Sequence, residues 1–353
     1  MTYNAGPHLF RLVNLRKSKV KIGIIGASGY AGEELVRLLI KHPNSNLLAV
    51  SSRQLSGQYV KDLIEEESLI EEDIKFVPPN DNIFYDCELI FLCTPHGVSM
   101  NLVNKFLAKN IKIIDLSADF RLKDLKTWES WYGLKHSSPE NLQHSVYGFP
   151  ELFREEIKKA KLIAVPGCYP TVSLLSVLPA LRSEHSIDSM IIDAKSGMTG
   201  AGRAASRNLS GEMLENFKAY NTEGHRHYPE IQQTIKLLSK KRIDLSFTTQ
   251  LLPIKRGIYL TAYIKFNSVI NFSFANIYKE FYRNSEFIKI LDEAPNLKSV
   301  TNTNDCLISV HQSSIKNQIL ITSCIDNLIK GASGQAVECF NLLYAFDQNT
   351  GLI

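Results

Sequence analysis

The sequence predicts an α/β protein: a Rossmann dinucleotide-binding domain joined to a mixed α+β domain. Three observations predict it. "VKIGII" (residues 20–25) runs into "GASGYAG" (26–32) and then into the helical pattern "EELVRLLIKH". Apolar strands then alternate with helical stretches up to residue 167, and β-rich runs dominate the chain beyond it.

Strand, glycine turn and helix in that order open a Rossmann unit, because glycines let the backbone approach a pyrophosphate at a helix N-terminus. The candidate cofactor-binding residues of this turn are Gly26, Ser28, Gly29, Tyr30 and Gly32, in a GxxGxxG spacing one residue longer than the usual GxGxxG. The second strand, "NLLAVSSR", ends where many NAD enzymes place an acid to hold the ribose hydroxyls. Ser51, Ser52 and Arg53 stand there instead. Hydroxyls and a guanidinium suit a 2′-phosphate, so NADP(H) is the expected cofactor.

"ELIFLC" (88–93) and "IKIIDLS" (111–117) continue the sheet, separated by the helical stretch "GVSMNLVNKFLAKN". Continuously apolar strands between helices indicate a parallel sheet covered on both faces. Their end loops, "TPHG" and "SADFR", then project on the ligand-binding edge. His96 in the first reads equally as a turn residue or a contact. Arg121 in the second can grip a phosphate or carboxylate bidentately.

"KLIAVPGCYPTVSLLSVLPAL" (161–181) places Cys168 where an apolar-periodic helix begins, after a corner at Pro166 and Gly167. A helix N-terminus and a cationic neighbour can bring a thiol pKa below about 7, which would make Cys168 a nucleophile. "YNTEGHRHYPEI" (220–231) supplies His225 and His227 around Arg226, with Glu230 just after. Histidine donates and accepts protons near neutral pH, as a cysteine nucleophile requires. No third and fourth ligand accompany the two histidines, so no metal is expected. A thiol beside a nicotinamide site points to acyl transfer onto sulfur, followed by hydride reduction of the thioester.

The 353 residues are 44% hydrophobic and 22% charged, a soluble globular profile long enough for two domains. The formal charge of +4 comes from Arg11, Arg16, Lys17 and Lys19; residues 20–353 carry 36 basic and 36 acidic side chains. A neutral body argues against nucleic-acid binding. The acid-free leader, residues 1–19, lacks the apolar core of a secretory signal and is expected to be a disordered or loosely docked arm. No apolar run approaches the about 20 residues of a membrane span. The six cysteines lack CxxC spacing and read as reduced thiols, so a cytoplasmic setting is expected. "IEEESLIEED" (64–73) reads as the charged decoration of a surface helix.

The stretches "GASGYAGEELVRLL", "FLCTPHGVS", "IIDLSADFRL", "VYGFPEL", "VPGCYPT", "KSGMTGAGR", "YNTEGHRHYPEI", "LLPIKRGIY" and "CIDNLIKGASGQAVECFN" run in order from about residue 20 to the end. With them the chain resembles the N-acetyl-γ-glutamyl-phosphate reductases, which are related in fold and mechanism to aspartate-semialdehyde dehydrogenase. The resemblance implies NADPH-dependent reduction of N-acetyl-L-glutamyl 5-phosphate to N-acetyl-L-glutamate 5-semialdehyde with phosphate release, in arginine biosynthesis. Cys168 becomes the nucleophile; His225 and His227 both match the catalytic motif, with His227 preferred as acid/base and His225 as a substrate contact. Glu230 would orient the cluster or the substrate, and Arg121 would contact its anion. Lys195, Ser196 and Arg203 in "KSGMTGAGR" would serve the substrate. Asn327 and Gly331 would lie beside the nicotinamide, ahead of an amphipathic helix.

The resemblance also implies a division into a nucleotide-binding domain of residues 20–167 and 326–353, and a substrate and dimerisation domain of residues 168–325. The assembly would be a homodimer or homotetramer. Val172 stands where the family leads one to expect a smaller residue, which bears on helix packing alone. A carrier-bound aminoadipyl phosphate differs from the glutamyl substrate by one methylene, worth only about 1–3 kcal/mol in a pocket, and remains an alternative substrate. A NADP-binding sensor without activity is the alternative from another class, opposed by the presence of Cys168, His225 and His227.

Replacing Arg53 by Asp is expected to weaken NADPH binding by about ten- to a hundredfold and NADH binding much less, because a charge-assisted contact to the 2′-phosphate is lost. Fluorescence titration with both dinucleotides checks this; equal losses would remove Arg53 from that site.

Overall fold

The computed structural model describes residues 19–64, 73–203, 215–239 and 242–352. Most of the basic leader and of the 64–73 charge run lies outside them. The first sheet contains β1 (Val20–Ile25), β2 (Ser45–Ser51), β3 (Phe76–Val77), β4 (Leu89–Leu92), β5 (Lys112–Asp115), β6 (Val146–Tyr147) and β7 (Leu162–Ala164). Their order is β3-β2-β1-β4-β5-β7-β6, with every pairing parallel. The order turns back on itself beside β1, and the loops after β1 and β4 meet at that switch point, where open α/β sheets bind ligands.

Helix α1 (Tyr30–Lys41) follows β1 directly. Its packing requires glycine twice. Gly26 has φ +90°, and a Cβ there would lie 2.5 Å from the Cys93 carbonyl oxygen. A Cβ on Gly32 would lie 2.6 Å from Ala27 Cα, so α1 sits directly on the turn. Between β4 and β5 the expected helix is much shorter: a 3₁₀ turn at Ser99–Asn101 and α2 (Val103–Leu107). The reason is local. Asp119 accepts from the Gly97 and Met100 N–H groups (2.7 and 3.0 Å), which holds this backbone in a turn tied to the next loop. Asp115, at the end of β5, accepts from Ser99 Oγ and Ser117 Oγ (2.7 and 2.8 Å). Buried beside Asp119, its carboxyl is pushed up to about 7.

Helices α3 (Leu125–Tyr132), α4 (Glu140–His144) and α5 (Pro150–Ile157) fill the path to β7. Then α6 (Cys168–Arg182) crosses into the second sheet, its residues 169–180 all buried. Val172 is fully buried in the core with Ile192, Ile231 and Leu260, so its branched side chain is accommodated.

The second sheet is formed by β8 (Ile187–Ser196), β9 (Lys218–Tyr220), β10 (Asp244–Leu251), β11 (Ile258–Phe266), β12 (Ile288–Leu291), β13 (Cys306–Gln312) and β14 (Gln318–Ile325). It is mixed, in the order β12-β13-β14-β11-β8-β10-β9. Strand alternation sorts its faces. Met190, Ile192 and Ala194 with Leu260, Ala262 and Ile264 pack under α6, α7 (Tyr228–Leu238) and α8 (Phe274–Phe281). The intervening residues of β8 and β11 face away from these helices, and among them Ile191 and Tyr263, cross-strand partners, are 48% and 38% exposed.

Helix α9 (Gly334–Leu343) returns to the first sheet, and Ala336, Val337 and Phe340 enter the same core as Ile24 and Phe91. The sequence pattern predicts an amphipathic helix here, but every residue of it is buried. Gln335, Glu338 and Asn341 give it polar positions, and each is met by a protein partner: the Gly148 carbonyl, Lys330 and His42.

Candidate active site

A cavity of about 800 Å³ opens where the two sheets meet. Its walls include the glycine turn after β1, the end of β2, the loops after β4 and β5, the start of α6, and residues from both ends of the second domain. Of the residues singled out from sequence, it brings together Cys168, His227, Arg121, Arg203, Gly26, Ser28, Gly29, Tyr30, Gly32, Ser52, Arg53, Asn327 and Gly331. His225, Glu230, Lys195 and Ser196 are not on its lining, and each has a different physical reason.

Lys195 lies on the face of β8 turned away from α6, where it pairs with Asp193. Ser196 points inward but is buried, with its hydroxyl donated to the Gly197 carbonyl (2.9 Å). His225 stands behind His227 in an aromatic box, its ring 5.4 Å from Tyr169, 5.6 Å from Tyr220 and 5.7 Å from Phe247. From there its Nδ1 accepts the His227 backbone N–H at 3.1 Å. Glu230 lies beside Gly167, the residue before Cys168. Its Oε1 accepts from the Gly167 N–H (2.9 Å) and the Tyr147 hydroxyl (2.7 Å), and its Oε2 is 3.6 Å from Arg121 Nη1.

Arg203 lines the cavity at the dinucleotide end rather than at Cys168. Its Nε donates to the Ser28 carbonyl (3.1 Å), its Nη2 pairs with Glu33, and its guanidinium lies 4.5 Å over the Tyr30 ring. Asn327 has its side chain committed: Oδ1 accepts from the Gly257 N–H (2.7 Å) and Nδ2 donates to Thr199 Oγ1 (3.0 Å). It braces the loop walls rather than offering a free amide.

The turn fits a dinucleotide. Gly29 caps α1 without a side-chain hydrogen bond, leaving the first N–H groups of the helix turned toward the cavity end where Gly26 and Gly32 exclude any Cβ. Ser28 and Ser52 share a hydroxyl hydrogen bond of 2.9 Å, and exposed Arg53 stands at the cavity rim beside them. No carboxylate occupies the end of β2.

At the other end, Gly167 precedes Cys168 and has no room for a side chain. A Cβ there would collide with His227 Nε2 and come within 2.9 Å of Arg121 Nη1. Imidazole and guanidinium therefore converge on the glycine that precedes Cys168. Arg121 is held in place by donating Nε to the Val165 carbonyl (2.7 Å) and Nη2 to the Leu116 carbonyl (2.8 Å). Arg226, between the two histidines, also lines the cavity, with Tyr132 and His96; its Nη1 is 3.4 Å from His96 Nδ1. Arg226 is not among the site residues expected from sequence, although its flanking by two candidate histidines is a signal that could have marked it.

The electrostatics correct one expectation. The helix start does not leave Cys168 ionised: burial pushes its thiol up to about 11, outweighing the Arg121 charge, which pulls it down. Glu230 pushes it the same way as burial. His227 is held well below its ordinary value by burial, then by His225, Arg121 and Arg226, so its imidazole is neutral and able to take a proton. Burial and Arg226 push His225 down to about 4.

Residues 21–160 match the family model for the semialdehyde dehydrogenase NAD binding domain, and residues 168–327 that for the semialdehyde dehydrogenase dimerisation domain. The chain is 44% identical over 339 residues to the N-acetyl-gamma-glutamyl-phosphate reductase of Vesicomyosocius okutanii, spanning 94% of this chain and 98% of that one. It is 45% identical over 341 residues to that of Campylobacter jejuni, spanning 95% and 98%. The fold is shared with aspartate semialdehyde dehydrogenase II of Vibrio cholerae complexed with ASA, at TM-score 0.74, 15% identity, and 93% and 99% of the two chains. It is also shared with aspartate semialdehyde dehydrogenase with NADP from Candida albicans, at TM-score 0.71, 15% identity, and 94% and 99%.

The two charges acting on Cys168 oppose each other, so their removal should move its reactivity in opposite directions. Glu230→Gln is expected to shift the midpoint of the pH profile for iodoacetamide alkylation of Cys168 downward, and Arg121→Gln upward. Shifts of the same sign would show that packing rather than charge controls the thiol.

Proposed function

This chain belongs to the N-acetyl-γ-glutamyl-phosphate reductases of the semialdehyde dehydrogenase superfamily, and we propose that Cys168 and His227 carry its reaction. The reaction is the NADPH-dependent reduction of N-acetyl-L-glutamyl 5-phosphate to N-acetyl-L-glutamate 5-semialdehyde, with release of phosphate, in arginine biosynthesis. The observation that carries the assignment of roles is the His227 imidazole packed against Gly167, the residue before Cys168, with both side chains on the lining of one cavity.

His227 takes the proton of the Cys168 thiol as sulfur attacks the acyl carbon. The carbon–oxygen bond to phosphate breaks, phosphate departs, and a thioester remains on Cys168. The turn of Gly26 to Gly32, with Ser52 and Arg53 beside it, would hold NADPH, which would supply the hydride that reduces this thioester. His227 returns its proton to the oxygen of the resulting thiohemiacetal. Breaking the carbon–sulfur bond frees the aldehyde, and the proton released from oxygen restores the thiol.

A thiol with a pKa of about 11 and a base far below it make the first proton transfer unfavourable by itself. It proceeds when sulfur is bonding to the acyl carbon, so the thiol is spared between turnovers. Arg121 has two of its donors fixed on backbone carbonyls and presents its remaining edge toward Gly167; Arg226 stands at the cavity wall. We assign these two cations to the anionic ends of the substrate. His225 acts through His227, by accepting its backbone N–H, and Glu230 acts through Gly167 and Arg121.

The open face of the second sheet, with Ile191 and Tyr263 exposed, is assigned to the contact between copies, in keeping with the dimerisation-domain match. No described helix is long and apolar enough to cross a membrane, and the setting proposed is the cytoplasm, where the cysteines, none of them paired, stay reduced.

Phosphate-dependent reduction of NADP⁺ is expected with N-acetylglutamate semialdehyde and not with aspartate semialdehyde or a carrier-bound aminoadipate analogue. Cys168→Ser should abolish it while NADPH affinity stays within about twofold; turnover by that variant would eliminate covalent catalysis. Ile191→Asp should shift the sedimenting species of the wild-type oligomer toward monomer, and an unchanged species would place the interface elsewhere.

A further inference from the structure

One buried ion cluster has no part in the mechanism above. It is centred on Lys330, whose side chain is 0% exposed. Its Nζ donates to Glu338 Oε2 at 2.7 Å and to Glu151 Oε1 at 3.3 Å, and lies 5.5 Å from the Phe287 ring centroid. Glu338 Oε2 also accepts from Asn304 Nδ2 (3.1 Å), and its Oε1 accepts from Gln348 Nε2 (2.5 Å). Glu151 Oε2 is buried without a hydrogen-bond partner. The cluster joins α5, α9 and the second domain, and none of its charged side chains reaches the active-site cavity.

Lys330 is nevertheless one residue from that cavity. It sits in a π-helical turn, Ile329–Ser333, whose neighbouring backbone groups close i to i−5 bonds: Gly331 N–H to the Asp326 carbonyl and Ser333 N–H to the Leu328 carbonyl, both 2.9 Å. The wider turn leaves Lys330 buried away from the cavity and Gly331 on its lining, where a Cβ would lie 2.8 Å from Cys168 Cβ. The same turn is fastened to the dinucleotide helix. Ser333 Oγ donates to the Ala31 carbonyl (2.7 Å), and Arg256 bridges Asp326 (3.1 Å) and Glu34 of α1 (2.9 Å).

This short segment thus touches the nucleophile on one side and the cofactor helix on the other. Its shape follows from which way Lys330 is pulled. A fold that needed only filling at this position would be served as well by a buried methionine, since a buried ion pair is a weak source of stability.

We propose that Lys330 is a positioning residue for the reaction: by anchoring in Glu338 and Glu151 it sets the depth at which the Gly331 backbone meets Cys168. It acts through Gly331 and touches neither substrate nor cofactor. The inference rests on Cys168 as the nucleophile; its test reads the thiol directly, apart from turnover.

Lys330→Met alone strands two carboxylates and is a poor test of position. The deciding variant neutralises the whole cluster, Lys330→Met with Glu338→Gln and Glu151→Gln. Glu151→Gln alone is the milder companion, because it leaves the 2.7 Å pair of Lys330 with Glu338 intact. For each variant that melts cooperatively, two quantities are compared with wild type: the rate of iodoacetamide alkylation of Cys168, followed by mass spectrometry without dinucleotide, and kcat per titrated thiol. For the neutralised variant we expect the alkylation rate to change roughly tenfold and kcat to fall at least as far, with KM for NADPH nearly unmoved, because small misplacements at a reacting centre cost about that much. For Glu151→Gln the same changes should be about threefold.

An alkylation rate within about twofold of wild type in the folded variants would overturn the assignment, whatever kcat does, and leave the cluster a packing device. Wild-type protein inactive on the acetylglutamyl compound would sink the functional reading instead, while the alkylation comparison would still decide the role of Lys330.

Discussion

The active site depends on one buried carboxylate. Glu230 accepts the N–H of Gly167, the residue that precedes Cys168, and the Tyr147 hydroxyl, while its other oxygen faces Arg121. Hydrogen bonds to a charged group are worth about 1.5–3 kcal/mol each, so the two bonds and the ion pair hold the start of α6 and β6 against α7. The corner that carries Cys168 is therefore held by a group contributed by the helix that follows His227.

The same carboxylate limits reactivity. It pushes the thiol up in concert with burial, and Arg121 offsets only part of this. A site built solely for a standing thiolate would have left the acid out. On the proposed mechanism the arrangement gives a protonated thiol and a neutral imidazole at one cavity. Thiol oxidation follows thiolate character, so a protonated Cys168 would be spared while idle and would react as bonding to the acyl carbon lowers the cost of losing its proton.

The sequence carried much of this and missed what depends on side-chain direction. The β1 turn, the strands of both sheets and the place of Cys168 at the head of α6 are local features, set by apolar period and glycine positions, and all were legible. Lys195 and Ser196 were not separable by eye, because strand parity sends adjacent residues to opposite faces and the buried face is known only once α6 has docked. Arg203 read as a substrate residue because it stands in "KSGMTGAGR", which resembles the family's glycine loop; its side chain is long enough to reach back to Ser28 and Glu33. His225 and His227, two residues apart, share chemistry, and only the docking of Tyr169, Tyr220 and Phe247 around the first decides which faces the cavity. Polar residues at 335, 338 and 341 made α9 read as amphipathic, whereas their partners lie far away in sequence, as with His42 and Asn341 (2.8 Å).

The interface between the two sheets is closed by charged and polar side chains whose partners belong to the other half of the chain: Arg203 with Glu33, Arg256 with Glu34, Asn304 with Glu338. A dinucleotide and a thiol must meet where the halves join, and apolar packing alone would fix their separation only loosely, since it is indifferent to small sliding. Directional bonds are not. Removing one partner from a part-buried polar contact leaves the other without its bond, which resists displacement even where the contact adds little net stability over an apolar substitute. The polar seams are thus best understood as setting distance, and the cores under α6 and α9 as supplying the stability that lets those seams be buried.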